Sequence, residues 1–124
     1  MSRLVRIFRL FIFALLATFF ISSQAWAHAH LKSSDPADKA AVSSPSNLNL
    51  SFSEGLNLKF SGVKLTGPDR QEIKLGEAML MDNGKTLMVP VPDQLPAGAY
   101  TVQWHAVSVD GHKTSGSYGF SVAP

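Results

Sequence analysis

Apolar and polar residues alternate along most of this chain. Leu48, Leu50 and Phe52 interleave with Asn47, Asn49 and Ser51, a period of two that predicts a half-buried strand. The same period recurs at Val63 and Leu65 around Lys64, and at Ile73 and Leu75 around Lys74. It runs longest through Tyr100, Val102, Trp104 and Ala106, with Thr101, Gln103 and His105 on the other side, and it closes the chain at Tyr118, Phe120 and Val122. Residues i and i+2 share one face of a strand, so each run offers an apolar face to a core. Turn-forming residues separate the runs: Asp35-Pro36, Ser44-Pro45, Gly67-Pro68-Asp69, Asp82-Asn83-Gly84 and Pro96-Ala97-Gly98. Asn83-Gly84 is a strong hairpin signal, because both residues tolerate positive φ. No stretch carries a convincing helical period. The segment LGEAMLMD, residues 75–82, fits a strand or a single helical turn, with the strand preferred. About seven strands at this spacing predict an all-β fold, a small antiparallel Greek-key β-sandwich or barrel.

The aromatic residues Phe52, Phe60, Tyr100, Trp104, Tyr118 and Phe120 are the expected centre of the core. Such side chains bury roughly 150–250 Å² each. A core of that kind in a domain this small leaves little room for a deep substrate pocket.

The first residues depart from the alternation. Arg3, Arg6 and Arg9 precede Leu10–Ile21, twelve residues that are almost all apolar, and Ala25-Trp26-Ala27 follows. A basic head, a short apolar middle and an Ala-x-Ala end are the three parts of a secretory signal peptide. An uncleaved anchor would need about 20 apolar residues to span a bilayer. Residues 1–27 are therefore expected to be removed by Sec-type export to the periplasm, leaving a soluble domain of residues 28–124. Without the three leader arginines the eleven basic residues become eight against nine acids, a net charge of −1 in place of +2. The basic character belonged to the leader, and no basic patch remains to argue for nucleic acid. The chain has no cysteine, which removes thiolates both as nucleophiles and as metal ligands.

Cleavage after Ala27 changes the chemistry of His28, which becomes the amino-terminal residue. An α-amine has an unperturbed pKa of about 7.7–8.0 and is a nitrogen ligand once deprotonated. Amine and imidazole of one residue can chelate a metal together. A second feature is SVDGHKTSG, residues 108–116, where Asp110 and His112 stand two apart around Gly111. Two residues at that spacing share a face if extended. With His28 they offer three nitrogens and one oxygen, a set suited to Cu(II) in tetragonal geometry. Alone, Asp-Gly is first of all a turn signal; the weight comes from the combination. Ligand imidazoles usually donate their other N–H to an oxygen, and Ser108, Thr114 and Ser115 are all near enough in sequence to take part. Copper must displace protons from its nitrogen ligands, so affinity is expected to fall as the pH drops from 7 to 5.

His30 is a weaker candidate. NH2-His28-Ala29-His30 would chelate Cu(II) only through deprotonated backbone amides, which the first strand is expected to occupy. His105 falls on the face opposite Trp104, towards solvent. Met79 and Met81 share a face if extended, and thioethers suit Cu(I), but they and Met88 are expected to fill gaps in the core.

AHAHL at the mature start, SPSNLNLSFSEGL, FSGVKLTGP and above all AGAYTVQWHAVSVDGHKTSGSYGFSV resemble the CopC family of periplasmic copper-resistance proteins, over nearly all of residues 28–124. The resemblance implies a cupredoxin-like or immunoglobulin-like β-sandwich and one Cu(II) per chain on His28, Asp110 and His112. It also implies that the start of the chain meets the 108–114 segment in space, and that copper passes to or from an inner-membrane protein of the CopD type. Some members carry a methionine-rich Cu(I) loop after the FSG stretch; here that region reads KLTGPDRQEIK, without methionine, so Cu(II) alone is expected. The function that follows is copper storage, buffering or delivery, without catalysis. Two alternatives remain: an oxidative copper enzyme of the polysaccharide-monooxygenase kind, which also uses an amino-terminal histidine, and a secreted β-domain that only binds a partner. Against the first stand the small size and a carboxylate, Asp110, where an oxygen activator needs an open position.

Overall fold

The computed structural model describes residues 29–124, and the expected leader and His28 lie outside them. The strands are β1 (Leu31–Asp35), β2 (Ala41–Val42), β3 (Asn47–Phe52), β4 (Gly62–Thr66), β5 (Glu72–Ile73), β6 (Met79–Met81), β7 (Thr86–Pro90), β8 (Gly98–Val107) and β9 (Lys113–Val122). They form a four-stranded sheet, β1-β3-β7-β6, and a five-stranded sheet, β2-β9-β8-β4-β5. The described residues contain a short 3-10 turn at Leu58–Phe60 and no α-helix, so the all-β expectation holds.

Alternation decides which residues face inward. Leu48, Leu50 and Phe52 from one sheet, and Tyr100, Val102, Trp104, Ala106, Tyr118, Phe120 and Val122 from the other, are buried between the sheets. Phe52 meets Trp104 edge-on at 5.2 Å between ring centroids, and Tyr100 stacks on Phe120 at 5.6 Å. Burying an aliphatic or aromatic side chain of this size contributes about 1.5–3 kcal/mol. The Tyr100 hydroxyl donates to the Pro96 carbonyl at 2.6 Å, so its polar end is satisfied.

The longest element is the β8–β9 hairpin, paired without interruption from Gly98 opposite Val122 to Val107 opposite Lys113. Gly116 lies opposite Trp104 in this ladder. A Cβ at Gly116 would stand 2.7 Å from the indole Cζ2, so a bare backbone is what lets the indole lie across β9.

Four sequence expectations are corrected. Nine strands form where about seven were expected; β2, of two residues, carries no alternating run in the sequence. β2 runs parallel to β9 in a sandwich otherwise paired antiparallel: after leaving β1 the chain crosses to the other sheet and runs along the β9 edge. Phe60 is 55 % exposed; it ends the 3-10 turn outside the strands, with the Lys59 ammonium 5.8 Å from its ring centroid. Met79 and Met81, expected in the core, are 47 % and 46 % exposed. The segment 75–82 does form a strand, but Leu80 takes its inward position, and alternation turns both methionines outward.

Candidate metal centre

The five residues that join β8 to β9, 108–112, contain Asp110, Gly111 and His112. Their shape begins at Ser108, which continues the inward alternation of β8 and is 1 % exposed. A polar side chain in that position must find partners. The Ser108 hydroxyl donates to Asp110 Oδ1 and accepts from the His112 amide at 3.2 Å. The Ser108 amide donates to the His112 carbonyl at 2.9 Å, and the Gly111 amide donates to the Ser108 carbonyl at 2.8 Å. Gly111 has φ +92°, and a Cβ there would meet nothing within 4 Å. Glycine is needed at this corner for its backbone conformation, not for space.

The result is a carboxylate and an imidazole side by side at the surface. His112 Nδ1 lies 3.1 Å from Asp110 Oδ2, with the two side chains 44 % and 49 % exposed. The hydrogen bond from Ser108, and then the one from His112, hold the Asp110 carboxyl below its ordinary pKa of 3.8. Asp110 is therefore an anion at any pH where copper chemistry is in question. Two atoms each bound at about 2.0 Å to one ion in cis square-planar positions are about 2.8 Å apart, close to the observed separation. Among the described residues no group of three or more His, Cys, Asp or Glu is gathered to hold an ion; the pair supplies two donors.

The same end of the sandwich receives the start of the described chain. Ala29 is fully buried, and its carbonyl accepts from the Thr114 hydroxyl at 3.0 Å, across 85 residues of sequence. The His30 amide donates to the Ser53 hydroxyl at 2.9 Å, and the His30 carbonyl accepts from the Ser53 amide at 2.9 Å. That amide, just ahead of β1, is engaged by a serine side chain. Leu56 bridges to Ser108, and the Val109 amide donates to the Gly55 carbonyl at 3.0 Å. His105 lies elsewhere: it is exposed on the outer face of the five-stranded sheet, against Gly62.

Of the expected ligands, Asp110 and His112 are brought together, and His28 lies outside the described residues. Of Ser108, Thr114 and Ser115, Ser108 is the one that bonds to the Asp110 carboxylate. Ser108 orders the loop, and Thr114 ties down Ala29. The signal for Ser108 was present in the sequence, as the one polar residue continuing an inward apolar run; none marked Thr114.

These features define a class, a small two-sheet β-domain with an exposed Asp/His pair at the end where the described residues begin. The CopC domain model matches residues 31–123, and the chain belongs to the CopC family. It is 49 % identical over 111 residues to protein YobA of Escherichia coli strain K12, covering 88 % of this chain and 90 % of that one. It is 38 % identical over 109 residues to copper resistance protein C of Escherichia coli, covering 82 % and 86 %. The crystal structure of PcoC, a methionine-rich copper resistance protein from Escherichia coli, superposes with a TM-score of 0.70 at 39 % identity, over 78 % of this chain and 100 % of that one. Copper transport protein CutJ of Bacillus subtilis is 28 % identical over 116 residues, which are 92 % of this chain but 21 % of CutJ.

Proposed function

We propose that this protein binds one Cu(II) per chain through His28, Asp110 and His112, and that it stores, buffers or delivers copper in the periplasm after cleavage behind Ala27. The observation that carries the reading is the 3.0 Å bond from Thr114 to the Ala29 carbonyl. It fixes the residue next to His28 two positions from His112. Consecutive Cα atoms are about 3.8 Å apart, so that bond supports a mature amino terminus at His28 within reach of the Asp110–His112 pair. The copper-resistance names of relatives and of the superposed structure support the metal.

The site suits exchange rather than reaction. Both described ligands are about half exposed, open to a partner that takes up or gives the ion. Ser108 holds the loop in shape without filling a coordination position, so the ion meets a preformed pair. A copper-transfer partner of the CopD type in the inner membrane fits the match to CutJ, where this domain's equivalent accounts for about a fifth of a copper transport protein. No helix among the described residues is long and apolar enough to cross a membrane.

The test is a Cu(II) competition titration followed by EPR on two forms, one beginning at His28 and one with an alanine ahead of it. The first should bind one equivalent with a nitrogen-rich tetragonal spectrum, and the extended form should bind orders of magnitude more weakly. Equal binding by both would remove the amine from the ligand set and overturn the reading.

A further inference from the structure

Among the described residues the exposed large apolar side chains are Leu58, Phe60, Met79, Met81 and Val109. Exposed apolar residues scattered singly need no explanation. Leu58, Phe60 and Val109 are not scattered. The first two belong to the 3-10 turn between β3 and β4, and Val109 stands next to Asp110 in the loop between β8 and β9. The two segments are bonded side by side. The Val109 amide donates to the Gly55 carbonyl, Leu56 bridges to Ser108, and the Asn57 amide donates to the Val107 carbonyl at 2.7 Å. The Val107 amide donates to the Ser61 hydroxyl at 3.0 Å, which closes the turn against β8. These apolar side chains therefore crown two adjoining turns at the end of the sandwich, and Val109 is 76 % exposed.

Charge divides along the same axis. The segments gathered at this end, 29–32, 53–61, 82–86 and 107–113, hold Lys32, Lys59, Lys85 and Lys113 against Glu54, Asp82 and Asp110. The rest of residues 28–124 holds four basic residues against six acids. Two of the three acids at this end are engaged: Asp82 accepts from the Thr86 hydroxyl, and Asp110 from Ser108 and His112. The Lys59 ammonium lies 5.8 Å from the Phe60 ring centroid, so a cation and an aromatic ring share the 3-10 turn.

We propose that this end of the domain docks on an anionic phospholipid surface, with Leu58, Phe60 and Val109 entering the headgroup region and Lys59 and Lys113 meeting the phosphates. Binding at a bilayer surface grows with the apolar area inserted and with attraction to anionic lipid. Lysine suits the boundary, because its stem lies along apolar surface while its ammonium stays in the polar layer. The bonded amides of Asn57, Val107 and Val109 can approach the bilayer without leaving donors unpaired. A stable protein interface covers roughly 800 Å² on each partner, more than three side chains on two turns supply, whereas a lipid surface needs only inserted tips and charge. The consequence is an orientation. Val109 adjoins Asp110, so docking brings the Asp110–His112 pair to the membrane surface. Which membrane is met rests on the periplasmic reading; the docking itself rests on these turns.

The experiment is co-sedimentation of the metal-free chain beginning at His28 with vesicles of phosphatidylethanolamine and phosphatidylglycerol, and with vesicles of phosphatidylcholine alone. Three proteins are compared: the parent, Leu58→Ser/Phe60→Ser/Val109→Ser, and Lys59→Gln/Lys113→Gln. All five positions are exposed, so the fold is retained, which a thermal melt verifies. The parent should bind the anionic vesicles, more weakly as salt screens the lysines, and should leave phosphatidylcholine unbound. The triple variant should lose about tenfold or more in partition coefficient at every salt concentration, and the lysine variant should lose the salt-dependent part. Phe60→Trp should shift its emission to the blue on the anionic vesicles. No binding by the parent would overturn the proposal. Binding kept by the triple variant would overturn it too, since charge alone would then explain the attraction. A dimer in sedimentation equilibrium that the triple variant abolishes would assign these side chains to a second copy instead. No copper is present in the assay, so its failure leaves the Cu(II) titration of the His28 form untouched, and failure of that titration leaves this result standing.

Discussion

Ser108 has more consequence than its size implies. Its buried hydroxyl donates to Asp110 and accepts from the His112 amide, so one atom fixes both members of the surface pair. Partners that orient a ligand are worth roughly 10–100-fold in metal affinity. Ser108→Ala should weaken Cu(II) binding by about tenfold with every ligand intact, as a competition titration would show. The same change removes the largest influence depressing the Asp110 pKa, so that carboxyl should titrate nearer its ordinary value by NMR. The sign of the stability effect follows. A carboxyl with a lowered folded-state pKa contributes stability above its ordinary value of 3.8 and loses it as the pH falls through the lowered value. The stability gap between parent and Ser108→Ala should therefore be widest near neutral pH and narrow below about pH 3.8. A gap constant down to pH 2 would contradict the linkage.

The β8–β9 hairpin is the element that holds the loop. Ten residues pair with ten without a bulge, and the loop inherits that rigidity at its two ends. Gly116 is the point where the hairpin is most sensitive, because Trp104 occupies the space of its missing side chain. Gly116→Ala would push the indole off β9 and disturb its contact with Phe52. Overpacking of this kind typically costs about 1–3 kcal/mol, readable by urea unfolding with tryptophan fluorescence. An unchanged midpoint and emission maximum would show that the core absorbs the methyl group. The hairpin was legible in the sequence as two alternating runs around Asp-Gly. Its full length was not, since Lys113–Ser117 carries no strong apolar alternation and is held as strand by its pairing with β8.

At the scale of the molecule, the candidate site lies where two segments far apart in the sequence meet. Thr114 on β9 holds Ala29, and Ser53 after β3 holds His30. Ordering a residue's backbone costs roughly 1–2 kcal/mol, and the folded domain meets that cost for the residue next to His28 before any metal arrives. Thr114→Val keeps shape and removes only the hydroxyl. It should leave the fold intact by circular dichroism and weaken Cu(II) binding about tenfold, mainly through faster dissociation measured by stopped flow. Unchanged affinity would mean that the amino terminus needs no tether.

The sequence by itself determined the class of fold and most of its core, because strand alternation is a local property that each segment carries alone. It also determined which chemistry was available, since residue types limit the donors to nitrogen, carboxylate oxygen and thioether sulfur. Phe60 marks where that reading stops: its hydrophobicity was plain, but its exposure depends on a 3-10 turn lying outside both sheets. Tertiary structure alone decided that Ala29 meets Thr114 and that Met88 stands opposite Met79. Those are matters of register and of contacts between distant segments, and no local period encodes them, because they are fixed only when the sheets pair and close over a common core.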